Sequence, residues 1–136
     1  MISISHITLT VRDLEHSSEF YKKIFQAKEI YSSGENTFSI AKEKFFLIGE
    51  IWLCLMQGEQ TIPRTYNHIA FQIKESDLNT YAAKIKQAGA EIKPTRPRIP
   101  GEGRSIYFYD LDNHLFELHT GTLQERLAAY STHNNM

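Results

Sequence analysis

The sequence predicts an α+β protein built from two tandem βαβββ modules. Three observations carry that expectation. Each half of the 136-residue chain runs strand, helix and then short strands. The opening strands match locally, His6-Ile7-Thr8-Leu9 against His68-Ile69-Ala70-Phe71. Between the halves lies a polar, proline-bearing stretch, Gln60 to Arg64, that reads as a linker.

In the first module, residues 1–59, the opening strand is expected over Ile4–Val11. Asp13 then caps a helix whose apolar positions Leu14, Phe20, Tyr21, Ile24 and Phe25 share one face. Short strands are expected at Glu29–Ser32, Thr37–Ala41, Phe45–Ile48 and Ile51–Met56, punctuated by Ser33-Gly34 and Gly49. In the second module, residues 65–121, a strand covers Tyr66–Ile73. Ser76 is the expected cap of a helix ending at Gly89, with Leu78, Tyr81, Ala82 and Ile85 inward. A short strand at Glu91–Lys93 precedes a long loop, Pro94 to Gly103. Strands Ser105–Tyr109 and Leu115–His119 close the module around the turn Asp110-Leu111-Asp112-Asn113. A helix over Leu123–Tyr130 and a polar tail fill residues 122–136. One such module cannot bury its sheet alone, so the halves are expected to pair within a single domain spanning 1–136.

Composition narrows the function. A hydrophobic fraction of 41% supports a packed core and argues against disorder. Fifteen basic against 16 acidic residues, net charge -1, with no basic run, argue against nucleic acid as a main partner. The single cysteine, Cys54, lies in Ile51-Trp52-Leu53-Cys54-Leu55-Met56, where it reads as a buried small hydrophobe and allows no intrachain disulfide. The N-terminus lacks the charged start and long apolar stretch of a signal peptide. No apolar run approaches the ~18 residues of a membrane span. A reducing cytoplasm is the expected location.

The chemistry-bearing residues are His6, His68 and Glu117. The two histidines are equivalent by the repeat, and pseudo-twofold packing of the halves would let them converge. Glu117, in Leu115-Phe116-Glu117-Leu118-His119, is costly to bury between Phe and Leu unless its charge is compensated, and a divalent ion does that. In the first half the position matching Glu117 falls on Leu53 or Cys54, neither a carboxylate. Three protein ligands leave coordination positions open for substrate or water, the catalytic arrangement. His114, at the turn, reads as solvated. His119, two residues after Glu117, shares its face and reads as a supporting group.

With these segments in place, the chain resembles the vicinal oxygen chelate superfamily, with its glyoxalase-like fold, and within it the fosfomycin-resistance enzymes. The carrying segments are His6-Ile7-Thr8, Trp52-Leu53-Cys54-Leu55, Tyr66-Asn67-His68-Ile69-Ala70-Phe71, Gly101-Glu102-Gly103-Arg104-Ser105-Ile106-Tyr107-Phe108 and, most specific, Asp112 through Leu127. Together they cover nearly the whole chain. Two branches of those enzymes add a thiol, glutathione or bacillithiol, to the epoxide carbon, and a third, the FosX type, adds water. Residues Ala41-Lys42-Glu43-Lys44-Phe45-Phe46-Leu47-Ile48 resemble the water-adding branch, in which a glutamate at this place is the general base. Phe45 stands where the glutathione branch has a tyrosine, and Gly101 where its potassium loop has a serine, so no potassium is expected.

The resemblance implies a Mn(II)-dependent epoxide hydrolase that adds water to fosfomycin, a small phosphonate with a strained epoxide, to give an inactive diol. It implies Mn(II) on His6, His68 and Glu117, though this ligand set is also compatible with Fe(II), Ni(II), Zn(II) or Mg(II). It places Glu43 and Thr8 in the catalytic set, Thr8 also being a phosphonate donor. Ser105, Tyr107 and Arg126 then hold the phosphonate with Arg98, or Arg96 of the same loop, while Trp52 and Tyr66 wall the site. Taken alone, Glu43 in Lys42-Glu43-Lys44 reads as a solvated charge and Arg126 as a helix-surface charge. The resemblance also implies a strand-paired homodimer in which the first-half histidine comes from one chain and the second-half ligands from the other. The competing readings are a thiol transferase acting on the same drug and a drug-sequestering module of the same fold, a type that lacks a complete ligand triad.

Overall fold

A computed structural model describes residues 1–59 and 61–135; Gln60 of the expected linker and Met136 at the end of the tail lie outside the described residues. The chain forms two compact units. The first comprises Met1–Pro63 with Leu111–Asn113, the second Arg64–Asp110 with His114 onward.

The first unit holds β1 (Ile7–Val11), α1 (Leu14–Phe25), β2 (Lys28–Ser32), β3 (Glu43–Ile48) and β4 (Ile51–Gln57). Its sheet order is β1-β4-β3-β2, with β1 parallel to β4 and the other pairs antiparallel. The parallel pairing requires a crossover, and α1 lies in the connection that leads to it. α1 starts where Asp13 accepts the amide of His16 at 3.0 Å, the expected cap. The five apolar residues read from periodicity are all buried, as are Ser17 and Ser18.

One expected strand is absent. Thr37–Ala41 alternates like a strand, but β2 pairs directly with β3 and leaves it no neighbour. Phe38 and Ile40 are instead 84% and 89% exposed. Without that segment, the first half becomes a strict βαβββ unit.

The second unit repeats the order with β5 (His68–Gln72), α2 (Leu78–Gln87), β6 (Ile92–Lys93), β7 (Ser105–Tyr109) and β8 (Leu115–His119), arranged β5-β8-β7-β6. A 3₁₀ turn, Glu75–Asp77, precedes α2, so the expected cap at Ser76 is not used; Asp77 occupies the cap position without a side-chain bond. Leu78 and Ile85 are buried, whereas Tyr81 and Ala82 are only half-buried. All five residues of β8 are buried, and Phe116 stacks on Phe108 with ring centroids 5.7 Å apart. The last helix, α3, runs Leu123–Asn134, four residues beyond the expected end. It begins at a reciprocal cap in which Thr122 and Glu125 each bond the other's backbone amide, at 3.1 and 3.0 Å.

The turn 111–113 belongs with the first unit rather than with the strands it joins. Asp112 Oδ1 accepts from the Arg12 amide at 3.1 Å and from Arg12 Nε at 2.9 Å, and Asn113 Nδ2 donates to Ile62 O at 2.9 Å.

Candidate metal centre and its surroundings

Strand pairing sets the geometry in each unit. In the second unit Ala70 pairs with Glu117, and Ser105 with His119. In the first, Thr8 pairs with Cys54, and Glu43 with Met56. With His6 matched to His68, Cys54 is therefore the counterpart of Glu117, which settles the choice between Leu53 and Cys54. By the same register Glu43 is the counterpart of Ser105, and Phe45 of Tyr107.

Glu117 is 4% exposed in the middle of a strand buried end to end. Ser105 Oγ donates to its Oε2 at 2.5 Å, and Arg98 Nη2 lies 3.2 Å from the same oxygen. Burial pushes this carboxyl up. Hydrogen bonds from Ser105 and Tyr107 and the charge of Arg98 outweigh burial and hold it below the ordinary carboxylate range.

Its other oxygen, Oε1, lies 3.0 Å from His68 Nε2. His68 Nδ1 lies 2.7 Å from the Tyr66 carbonyl, which can only accept, so Nδ1 carries hydrogen. Nε2, which carries a lone pair whenever only Nδ1 is protonated, then faces a carboxylate lone pair. Two acceptors at that distance need a cation between them, a second proton or a metal ion. A donor set of imidazole and carboxylate, with the imidazole oriented by a backbone carbonyl, fits a divalent metal.

Around this pair the second unit collects most of the expected substrate-binding residues. Tyr66 and Tyr107 share a hydroxyl contact of 3.2 Å, and Arg98 Nη2 reaches Tyr107 Oη at 3.1 Å. Burial and its Tyr66 and Glu117 partners push the Tyr107 phenol up, so it stays a donor. His119 Nδ1 is 2.7 Å from Ser105 Oγ, and Arg126 Nη2 is 3.4 Å from His119 Nε2. Burial lowers the His119 imidazole below its usual range. Arg98 Nε is buried with no hydrogen-bond partner among the described residues, a donor that an anionic ligand would satisfy.

One expectation for this region changes, and one further residue emerges. His114 is not solvated: its Nδ1 meets Asp110 Oδ2 at 2.7 Å. Glu102, passed over in the sequence, is a buried hub only 1% exposed. It pairs with Arg96, lies 3.4 Å from Arg98 Nη1, and accepts from Tyr130 Oη at 2.8 Å and the Ile99 amide at 3.2 Å. The Arg96 bond holds its carboxyl down at about 2. Its flanking glycines, Gly101 and Gly103, both with positive φ, were the available signal for a tightly folded loop.

The first unit holds the rest. Glu43 opens β3 and is 9% exposed, so it is no solvated charge. Ser39 Oγ donates to its Oε2 at 3.0 Å and Cys54 Sγ approaches the same oxygen at 3.7 Å, which leaves Oε1 free of named partners among the described residues. Burial and the charge of Glu43 push the Cys54 thiol up to about 11, so it is a donor rather than a nucleophile. The Thr8 side chain also bonds Cys54. The Trp52 ring lies 4.2 Å from that of His6 by centroids, and its Nε1 is buried without a partner among the described residues. Among those residues, no group of three His, Cys, Asp or Glu side chains is drawn together as a metal cage. His68 and Glu117 belong to one unit and His6 to the other.

Two βαβββ repeats, each with a histidine at the head of its parallel strand pair, define a class of duplicated α+β proteins. The chain belongs to the Glyoxalase/Bleomycin resistance protein/Dioxygenase superfamily, whose family model matches residues 3–118. It is 60% identical over 131 residues to the fosfomycin resistance protein FosX of Listeria monocytogenes, covering 96% of this chain and 98% of that one. It is 42% identical to the metallothiol transferase FosB of Shouchella clausii, covering 93% and 86%. A crystal structure of a mutant Listeria monocytogenes FosX, complexed with Mn(II) and 1S,2S-dihydroxypropylphosphonic acid, superposes with a TM-score of 0.88 at 60% identity, covering 94% of this chain and 99% of that one.

Proposed function

We propose that this chain is a Mn(II)-dependent epoxide hydrolase that inactivates fosfomycin by adding water to its epoxide. The observation that carries the reading is the buried Glu43 carboxylate, fixed through Oε2 and open at Oε1. The relative bound to Mn(II) and a diol phosphonate supports the same chemistry.

His6, His68 and Glu117 would hold Mn(II), which supplies Lewis acidity to the opening epoxide. Glu43 Oε1 takes a proton from water as the water oxygen bonds to carbon and the carbon–oxygen bond of the ring breaks. A proton returned to the ring oxygen completes the diol. Arg98, Arg126 and Thr8 offer donors for the phosphonate, the two guanidiniums supplying the charge, while the Ser105 and Tyr107 hydroxyls, engaged with Glu117, line the site beside them. Trp52 and Tyr66 wall the pocket. The family resemblance supports a homodimer, with His6 from one chain and His68 and Glu117 from the other. No described helix is long and apolar enough to cross a membrane. A cytoplasmic enzyme facing an antibiotic that has entered the cell fits this reading.

Similarity to a metallothiol transferase keeps thiol addition as the second reading. Incubating the protein with fosfomycin and Mn(II), with no thiol, is expected to yield a product heavier by one water. No diol without thiol, and an adduct once thiol is added, would replace the hydrolase with a transferase. Protection in proportion to protein, without turnover, would replace both with sequestration.

A further inference from the structure

We infer that His119 is a positioning residue whose imidazole couples the grip of Arg126 to the carboxylate of Glu117. The inference rests on the reading of Glu117 as a metal ligand and of Arg126 as a phosphonate donor.

The ring has a built seat. A Cβ on Gly121 would lie 2.9 Å from His119 Nε2, and one on Gly103 would lie 3.1 Å from His119 Cε1 and 2.8 Å from the Gly121 amide nitrogen. Gly103 also has φ +88, a conformation L side chains rarely adopt. Two glycines therefore flank the imidazole, and neither leaves room for a side chain while the ring stays in place.

The hydrogen-bond directions follow from the groups at the two ends. A guanidinium only donates, so His119 Nε2, 3.4 Å from Arg126 Nη2, is the acceptor. Nδ1 then carries the hydrogen and gives it to Ser105 Oγ at 2.7 Å. Ser105 has one hydrogen of its own, and it goes to Glu117 Oε2 at 2.5 Å. The carboxylate only accepts, so the chain Arg126, His119, Ser105, Glu117 runs in one direction. A hydroxyl with its lone pairs unoccupied could rotate away from Glu117; the donated Nδ1–H fixes it. At the other end Arg126 Nε lies 4.0 Å from Glu102 Oε1, so His119 and Glu102 together aim the guanidinium. One ring thus sets the hydroxyl that supports the ligand and the arginine that would meet the substrate.

Two substitutions separate the ring's nitrogens. His119→Asn keeps an amide donor near the place of Nδ1 and removes the acceptor at Nε2. His119→Gln reaches the place of Nε2 and removes the donor to Ser105. Mn(II) affinity is read by electron paramagnetic resonance of the free ion, and fosfomycin KM by steady-state turnover. The Asn variant is expected to bind Mn(II) within about twofold of the native protein and to raise KM by about 2–10-fold, the worth of one hydrogen bond. For the Gln variant a rise of about tenfold in the Mn(II) dissociation constant is expected, with KM near native. Equal effects of both variants on both quantities, or no effect of either, would overturn the coupling. Glu117→Gln is the control: Mn(II) binding is expected to collapse, and if it does not, the ligand reading fails and the inference with it. If the control loses Mn(II) while both His119 variants behave as native, the inference alone is wrong.

Discussion

Replacing Glu43 by glutamine tests the assignment of the base with little else disturbed. The amide has the shape of the carboxylate, and its oxygen can still accept from Ser39 and Cys54, which approach Oε2 at 3.0 and 3.7 Å. What disappears is the basic lone pair on Oε1. Loss of a positioned general base slows a reaction by about 10²–10⁴-fold, equivalent to about 2.7–5.4 kcal/mol of transition-state stabilisation. The fold should tolerate the change, because two neutral donors rather than a buried cation are the partners named for this side chain. Mn(II) affinity should stay native, because the counterpart of Glu43 in the other repeat is Ser105, not the ligand. The assay is diol formation by mass spectrometry without thiol, paired with Mn(II) titration. Native turnover by Glu43→Gln would refute the assignment of the base. Retained turnover per bound metal with weakened Mn(II) binding would refute its separation from the metal site.

Two further outcomes follow from the second unit. Ser105→Ala removes the 2.5 Å bond to Glu117 Oε2 and is expected to raise the Mn(II) dissociation constant about 10–100-fold; unchanged affinity would show that the hydroxyl does not orient the ligand. Glu102 has its carboxyl lowered to about 2 by the Arg96 bond, so the unfolded chain takes up this proton at higher pH than the folded one. Its stabilising contribution is complete above about pH 5 and is lost as pH falls through about 2. Urea unfolding of native and Glu102→Gln proteins should therefore show a stability gap at pH 7 that narrows at about pH 3; a constant gap would contradict it.

What the sequence displayed was local, and what it hid depended on partners. The histidines at the heads of β1 and β5 stand in matching tetrapeptides, and the Thr122–Glu125 cap of α3 is written within four residues. The segment 37–41 failed because alternation describes one strand, whereas a strand exists only beside another; β3 was already taken by β2 on one edge and β4 on the other. Glu102 drew no reading of its own because its burial depends on Arg96, Arg98 and a tyrosine 28 residues away. The burial of Glu43 was likewise invisible in Lys42-Glu43-Lys44. Lys44 turns to Glu15 and Glu29, each at 3.1 Å, and Glu43 turns the other way, to Ser39 and Cys54. Period-two alternation accounts for the split, but that both faces are covered here, with Glu43 and Lys44 both buried, depends on the sheet as a whole.

Under the proposed function, the register of the two sheets accounts for one repeat supplying a ligand while the other supplies a base. Each module has a pair of positions on its two inner strands whose side chains meet: Glu117 with Ser105, and Cys54 with Glu43. Each pair holds one carboxylate and one small neutral donor. Two carboxylates in such contact would repel, so one of them would have to bind a proton. In the second module the carboxylate sits on the strand parallel to the histidine strand, where it reaches His68 at 3.0 Å. In the first it sits one strand further out, with Cys54 in the ligand's place. On the proposed reading, that shift leaves no fourth carboxylate or imidazole in the ligand position and makes the displaced carboxylate available as a base. In the proposed reaction the metal keeps an open position and a separate carboxylate acts as base, and a single exchange of residue types between neighbouring strands accounts for both.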